Sequence, residues 1–130
     1  MKVLLDTQVW LWMLGAPERL SDEALRLVED TTVTLLLSAA SSWEIAIKWA
    51  LGKLTLPEAP DTYVPDRIRS SGVTPLPISH GHALGVAGLE AHHRDPFDRL
   101  LIAQAIAEDV EILTADAMFD HYPVQRIPAA

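Results

Sequence analysis

The sequence has no cysteine among its 130 residues, which excludes disulfide bonds and zinc sites built on thiolates. No apolar run approaches the roughly 20 residues that a membrane helix requires. The N-terminus also lacks the basic segment, apolar run and cleavage site of a signal peptide. These absences predict a soluble, cytoplasmic protein that does not associate with a membrane.

Basic residues are scarce, since 10 Lys and Arg stand against 18 Asp and Glu, for a formal net charge of -8. This balance argues against a protein that binds nucleic acid through a broad basic face. It does not exclude a site at which carboxylates hold metal ions and the metals meet phosphate. Solubility is the simplest explanation for most of the acidic residues.

The length and the 49% content of hydrophobic residues suffice for a substantial core, and they predict one globular domain over residues 1–130. Alternating patterns predict strands over 3–5, 32–37, 74–78, 111–114 and 124–127. Helices are predicted between them, over 7–14, 22–29, 39–51, 61–71, 80–91 and 97–107. Strands that alternate with helices predict an α/β fold with a parallel β-sheet flanked by α-helices on both faces.

Several residues predict where these elements begin and end. Ser21 and Ser79 are good helix N-caps, and Gly52 suits the position just after a helix. Two prolines make the third strand either an edge strand or a poor strand. Pro65 is expected either to break the fourth helix or to start its second part.

The first apolar run, Val3 to Leu5, stops abruptly at Asp6, and a helical pattern follows. In open α/β sheets, ligands bind at the carboxyl ends of the strands. Asp6 is therefore predicted to lie where such a domain usually has its ligand-binding or catalytic residues.

Four acids lie on or beside apolar patterns rather than on polar faces. Asp6 and Asp116 follow strand patterns, while Glu44 and Asp98 lie within the apolar stripes of two predicted helices. A buried carboxylate without a partner is costly or takes up a proton, so four of them suggest a shared compensation. Oxygen ligands without cysteine suit magnesium or manganese. Two such metals can activate water and stabilise the leaving oxygen in phosphodiester hydrolysis.

Each acid also has a simple structural explanation. Glu44 can pair with Lys48, four residues on, and Asp98 in a first helical turn stabilises the helix dipole. Asp116 suits a turn or an N-cap, and Asp6 could cap the helix that follows it. Spacing alone leaves both interpretations open.

Four segments of the sequence together resemble PIN-domain proteins, and specifically the VapC-type toxins of bacterial toxin–antitoxin pairs. The segments are Leu4–Trp12, Ser38–Lys48, His93–Gln104 and Leu113–Phe119. They follow the order found in the family and span nearly the whole chain, and the third is the most specific.

The resemblance implies a single PIN-like domain and a magnesium- or manganese-dependent endoribonuclease. It implies that Asp6, Glu44, Asp98 and Asp116 are the catalytic acids. Asp6, Asp98 and Asp116 would hold the metal, and Glu44 would hold a water or a second metal. Its implied partners are an RNA substrate, a VapB-type antitoxin whose peptide arm blocks the acids, and a second copy in a homodimer.

Four further residues in these segments could contribute to the site or have only local structural roles. Asp95 is either an extra acid of the site or a residue that shapes a helix start. The hydroxyls of Thr7 and Thr114 either orient carboxylates or make turn hydrogen bonds. Gln8 departs from the family, since relatives often have His there.

Basic and aromatic residues allow two interpretations each. Arg94, Arg99, Lys48 and Lys53 could neutralise RNA phosphates or serve as ordinary surface residues.

The histidine pairs at 80 and 82 and at 92 and 93 lack the helical spacing of a zinc site, so they are predicted to be loop, cap or surface residues. Trp10 and Trp12 cannot share one helix face, so one should be more exposed, as at a dimer or antitoxin interface.

Two alternatives compete with the toxin interpretation. A haloacid-dehalogenase-type phosphohydrolase also places Asp at the end of strand one, but it requires a second Asp where this chain has Gln8. A non-catalytic PIN-like binding module predicts an incomplete set of acids, whereas the set here is complete.

Overall fold

The computed structural model describes residues 1–130 and contains one five-stranded sheet. The strands are β1 (Lys2–Leu5), β2 (Thr34–Ser38), β3 (Thr74–Leu76), β4 (Glu111–Thr114) and β5 (Arg126–Pro128). Their order is β3-β2-β1-β4-β5, and every neighbouring pair is parallel. The predicted α/β fold is confirmed, and the proline-bearing β3 lies at an edge as predicted.

Six helices accompany the strands. They are α1 (Thr7–Gly15), α2 (Asp22–Glu29), α3 (Ala39–Ala50), α4 (Pro60–Ser71), α5 (His80–Gly85) and α6 (Pro96–Glu108). The predicted caps are confirmed, because the hydroxyls of Ser21 and Ser79 accept backbone N–H groups and Gly52 has a φ of 71°. No helix combines the length and apolarity that crossing a bilayer requires.

Two helix predictions are wrong. The fifth helix ends at Gly85 and a 3₁₀ turn follows, so α5 is much shorter than expected. Pro65 does not interrupt α4, which is continuous. Tyr63 and Val64 of α4 are buried in the core, and their packing offsets the local cost of about 3 kcal/mol for a proline inside a helix.

The core has two layers because side chains alternate across the sheet. Val3 and Leu5 of β1 pack on one side with residues of α1, α2 and α4. Leu4 packs on the other side, mainly with residues of α6. The side chains of Val3, Leu4 and Leu5 are fully buried, so the strand that precedes Asp6 is held from both faces.

The tryptophans divide between the core and the surface. Trp10 is fully buried and Trp12 is partly buried, which confirms that they differ in exposure. The most exposed tryptophans are Trp43 and Trp49, both on α3.

A buried polar group fixes α6 against the sheet. Gln104 is fully buried, and its amide oxygen accepts a hydrogen bond from the hydroxyl of Ser38 at the end of β2. Its amide nitrogen donates to the carbonyl of Pro77 at 3.3 Å. These bonds join α6, β2 and the segment after β3, so they set the position from which α6 presents its first turn.

Gln104→Met is therefore expected to lower the free energy of unfolding by roughly 1–3 kcal/mol, because it removes the acceptor of the Ser38 O–H and the donor to the Pro77 carbonyl. Urea unfolding followed by circular dichroism measures the change. Gln125→Met at an exposed position is the control, and equal stability of the two variants would contradict the assigned role.

Candidate metal centre

A cavity of about 370 Å³ lies at the carboxyl end of β1. Chain connections from β1 lead to β2 on one side and later to β4 on the other, so this is the switch point at which α/β sheets bind ligands. Its walls consist of Asp6, Thr7, Gln8, Leu11, Glu44, Ile45, Lys48, Lys53, Leu54, Asp95 and Asp98. The structure thus brings three of the four predicted acids, and Asp95, around one space.

Asp6 is held by the neighbouring strand. Its backbone N–H donates to the carbonyl of Leu113 at 3.1 Å, and the hydroxyl of Thr114 donates to its Oδ2 at 2.7 Å. Burial raises the pKa of Asp6, the Thr114 hydrogen bond opposes that shift, and the nearby Glu44 adds to it. Asp6 is the N-cap residue of α1, and a hydrogen bond from the backbone N–H of Gln8 also acts to lower its pKa, so the predicted position as a helix cap agrees with the structure and stands beside its place in the cavity wall.

The two predicted threonine hydroxyls have different partners. Thr114 orients a carboxylate, as one of the two interpretations predicted. The hydroxyl of Thr7 instead donates to Ser41 Oγ at 2.8 Å and joins α1 to α3. Only Thr114 therefore acts directly on an acid of the site.

Glu44 faces the cavity from α3 and is buried. Its Oε2 pairs with Lys48, and this hydrogen bond raises the pKa of Lys48. Its Oε1 is buried and has no hydrogen-bond partner. Glu44 therefore forms the predicted helical pair and still leaves one carboxylate oxygen that a cation or a water could satisfy.

Asp95 and Asp98 share the first turn of α6. Asp95 is the N-cap, and its Oδ1 accepts the N–H groups of Phe97 at 2.8 Å and Asp98 at 3.2 Å. Burial raises the pKa of Asp98 to about 8, and the negative charges of Asp6, Asp95, Glu44 and Asp116 contribute to this shift. The carboxyl of Asp98 therefore retains a proton at neutral pH unless a cation takes its place.

Asp116 approaches this group from beyond β4 and is not part of the cavity wall. It caps the 3₁₀ turn Ala117–His121 by accepting the Met118 N–H at 2.9 Å. Its Oδ2 lies 3.1 Å from Nε2 of His93, which is also 2.9 Å from Oδ2 of Asp98. His93 thus connects the two acids.

His93 lies in the loop before α6, as the prediction of a loop, cap or surface residue allowed, but that prediction did not include its contact with the two acids. The side chain is only 16% exposed. Helical spacing gave no signal, because its partner Asp116 is 23 residues away in the chain. The available signal was its place at the start of the most specific family segment, His93–Gln104.

The four basic residues considered for phosphate contacts differ in whether their side chains are already paired. Arg99 is not available to phosphate, since its guanidinium donates to backbone carbonyls, including those of Glu90 at 2.9 Å and His93 at 3.2 Å. Lys48 is paired with Glu44. Lys53 lines the cavity and Arg94 is exposed, so these two remain candidates for phosphate contacts.

The donor set fits a hard divalent cation. The converging groups are mainly carboxylate oxygens, which magnesium and manganese prefer. The unpartnered Oε1 of Glu44 and the raised pKa of Asp98 both show a local excess of negative charge. Carboxylate oxygens of Asp98 and Asp116 also lie within 4.8 Å of each other, a spacing compatible with a shared ion.

Asp98→Asn is expected to raise the free energy of unfolding of the metal-free protein, because ionisation of the largely buried Asp98 destabilises the wild type at high pH. The pKa of Asp98 is raised from 3.8 to about 8, so the folded state retains a proton that the unfolded state loses between these values. Wild-type stability should therefore fall as the pH rises across this window. The advantage of the variant should be small near pH 4 and reach roughly 1–3 kcal/mol at pH 8.

Urea unfolding in the presence of a chelator, at several pH values across this window, measures the difference. Asp22→Asn, on the exposed first turn of α2, is the matched control and should show no such pH dependence. A gain from Asp98→Asn that is independent of pH would contradict the assigned cause.

Comparison with a curated protein gives one partial match. Ribonuclease VapC16 of Mycobacterium tuberculosis is 51% identical over 61 residues, which cover 47% of this chain and 43% of that protein. The match therefore spans less than half the length of the curated relative.

Solved structures show the same fold over nearly the whole chain. The VapBC2 complex of Rickettsia felis, bound to a promoter DNA fragment, contains a chain with a TM-score of 0.74, 16% identity and 100% coverage of both chains. A chain of VapBC-1 from nontypeable Haemophilus influenzae has a TM-score of 0.65, with 16% identity and 98% coverage of both chains. A chain of FitAcB from Neisseria gonorrhoeae has a TM-score of 0.60, with 18% identity and 96% coverage of both chains.

The family model of the PIN domain matches residues 3–125, which include β1 from Val3 onward, all of β2, β3 and β4, and all the acids of the cavity. This match agrees with the strand order and with the resemblance found in the sequence. The chain belongs to the PIN domain family.

Proposed function

We propose that this chain is a divalent-metal-dependent endoribonuclease that acts as the toxin of a toxin–antitoxin pair. The observation that carries the proposal is the convergence of Asp6, Glu44 and Asp98 on one cavity, with a buried carboxylate oxygen left unpartnered. The name of the partial relative, a ribonuclease, supports the same activity. In this proposal residues 1–130 form the ribonuclease domain.

Asp6, Asp98 and Asp116 would hold magnesium, or alternatively manganese, and Glu44 would hold a water or a second cation. When bound, such cations polarise a phosphodiester and favour deprotonation of a water molecule. Thr114 keeps Oδ2 of Asp6 in place through its hydrogen bond. Lys48 neutralises one oxygen of Glu44, and Lys53 at the cavity wall can meet a phosphate.

The acidity of the cavity explains why the proposed activity should require metal. Phosphate and the carboxylates carry charge of the same sign, so RNA approaching the protein alone would be repelled. Divalent cations held by these acids would offset that negative charge and so allow a phosphate to approach. The same acidity suits an antitoxin arm that presents a cationic side chain such as arginine.

A VapB-type antitoxin is the proposed protein partner, since similar folds occur in VapBC complexes. A homodimer remains part of the proposal, and sedimentation analysis would test it. An RNA substrate also places the proposed activity in the cytoplasm.

The phosphohydrolase alternative does not suit this cavity. Gln8 lies in its wall, where the haloacid-dehalogenase chemistry requires a second carboxylate. The non-catalytic PIN-like binding module remains as the competing function, because it would keep the fold and the acids but cleave nothing.

Cleavage of a mixed tRNA and rRNA pool with added magnesium or manganese tests the proposal. Asp6→Asn and Asp98→Asn should each lower the rate by more than about 100-fold, because each removes a proposed metal ligand. Asp22→Asn should cleave like the wild type. All proteins must be free of co-expressed antitoxin.

Equal activity in every variant would indicate a contaminating nuclease and refute the assignment of these acids. Metal binding by the wild type without cleavage of any RNA offered would favour the binding module. Metal-dependent cleavage that is lost in both acid variants would support the ribonuclease, and the cut site would identify its target.

Thr114→Val should weaken binding of manganese by about 10–100-fold, because it frees Oδ2 of Asp6 while keeping the shape of the side chain. Thr7→Val is a matched control, since it also removes a buried hydroxyl contact but one made with Ser41. Calorimetric titration of both variants measures the effect. Equal affinity in the two would show that Thr114 does not position the acid.

A further inference from the structure

His93 occupies a position that the proposed chemistry leaves unexplained. Its Nε2 lies 2.9 Å from Oδ2 of Asp98 and 3.1 Å from Oδ2 of Asp116. We propose that His93 is a positioning residue whose Nε2–H holds these two carboxylates together and so strengthens their binding of a cation. This inference rests on the metal-dependent function proposed above and names a residue that acts on the metal ligands.

The second ring nitrogen of His93 determines which atom carries the hydrogen. The backbone N–H of Asp95 donates to Nδ1 at 3.3 Å, so Nδ1 must offer a lone pair and bear no hydrogen. In a neutral imidazole the hydrogen then lies on Nε2. Nε2 is therefore a donor to the carboxylates and not itself a ligand of the ion.

The loop that carries His93 is fixed to the elements that carry the two acids. The backbone N–H of His93 donates to the hydroxyl of Tyr122 at 2.7 Å, and Tyr122 lies shortly after Asp116 in the chain. The backbone carbonyl of His93 accepts from the guanidinium of Arg99 at 3.2 Å, and Arg99 directly follows Asp98. The ring of His93 also packs edge-on against Phe119, with centroids 6.1 Å apart. The imidazole therefore has a defined place between the acids.

A hydrogen-bond donor has a particular value at this place. Asp98 lies in the first turn of α6 and Asp116 follows β4, so only tertiary contacts bring their carboxylates together. Both carboxylates carry negative charge once a cation replaces the proton of Asp98. The Nε2–H bonds to Oδ2 of Asp116 and lies 2.9 Å from Oδ2 of Asp98, so it offsets their repulsion. Hydrogen bonds to metal-ligating carboxylates typically change metal affinity by 10–100-fold.

The adjacent histidine provides a matched control. His92 is exposed, and its Nε2 contacts Oε2 of Glu90 at 2.6 Å rather than any acid of the cavity. His92 and His93 thus differ in their contact with the acids while sharing the same loop. Replacement of each in turn separates an effect on the acids from an effect on the loop.

Calorimetric titration of the full chain with manganese tests the inference. His93→Leu removes the donor and should weaken binding by about 10–100-fold. His93→Gln places an amide N–H near the position of Nε2 and should stay within about threefold of the wild type. His92→Leu should bind like the wild type. His93→Asn, whose amide is too short to reach, should behave like His93→Leu and replaces it if the leucine variant does not fold.

Electron spin-echo spectroscopy of the manganese-loaded wild type provides an independent readout. We expect no signal from a directly coordinated nitrogen, because Nε2 carries a hydrogen. A coordinated nitrogen that disappears in His93→Gln would overturn the proposal and make His93 a ligand. Unchanged affinity in His93→Leu, or equal weakening in His93→Leu and His93→Gln, would also overturn it.

The outcomes separate this inference from the proposed function. Manganese binding that depends on the His93 donor, together with no cleavage of RNA, would refute the ribonuclease and support the positioning role. A wild type that binds no manganese would overturn both.

Discussion

Mutual repulsion among buried carboxylates is the constraint on which the rest of this structure depends. Burial and neighbouring acids raise the pKa of Asp98 to about 8, so the metal-free site holds a proton in place of a cation. The protein offers only partial compensation through Lys48, which pairs with Glu44, and through the hydrogen-bond donors Thr114 and His93. The remaining negative charge would favour a bound cation.

Such a site requires rigid surroundings, because free carboxylates would move apart. The fully buried residues Val3, Leu4 and Leu5 of β1 fix Asp6 from both faces of the sheet. Gln104 fixes α6 against the end of β2, and Arg99 ties the preceding loop to the same helix. The polar groups that link these elements therefore serve the geometry of the acids as well as stability.

Local patterns in the sequence predicted the parallel sheet, the edge position of β3 and the first-turn position of Asp98, since each depends on neighbouring residues. The continuity of α4 through Pro65 was not predictable, because it depends on the packing of Tyr63 and Val64. The partners of Arg99 and His93 lie in other segments and were missed for the same reason. The placement of Asp6, Glu44 and Asp98 around one cavity agrees with their strand-end and stripe positions, whereas their chemical roles depend on the experiments proposed above.

The hydrogen bond between Thr114 and Asp6 joins residues 108 positions apart, which has a consequence for synthesis of the chain. β1 is translated before its partner β4 and before the acid Asp116. A ribosome-bound intermediate that stops before these residues therefore lacks both the hydroxyl that orients Asp6 and the acid that faces Asp98. For a ribonuclease of the proposed kind, this order of assembly would delay activity until Thr114 and Asp116 have been added, and it would leave products that terminate before them inert.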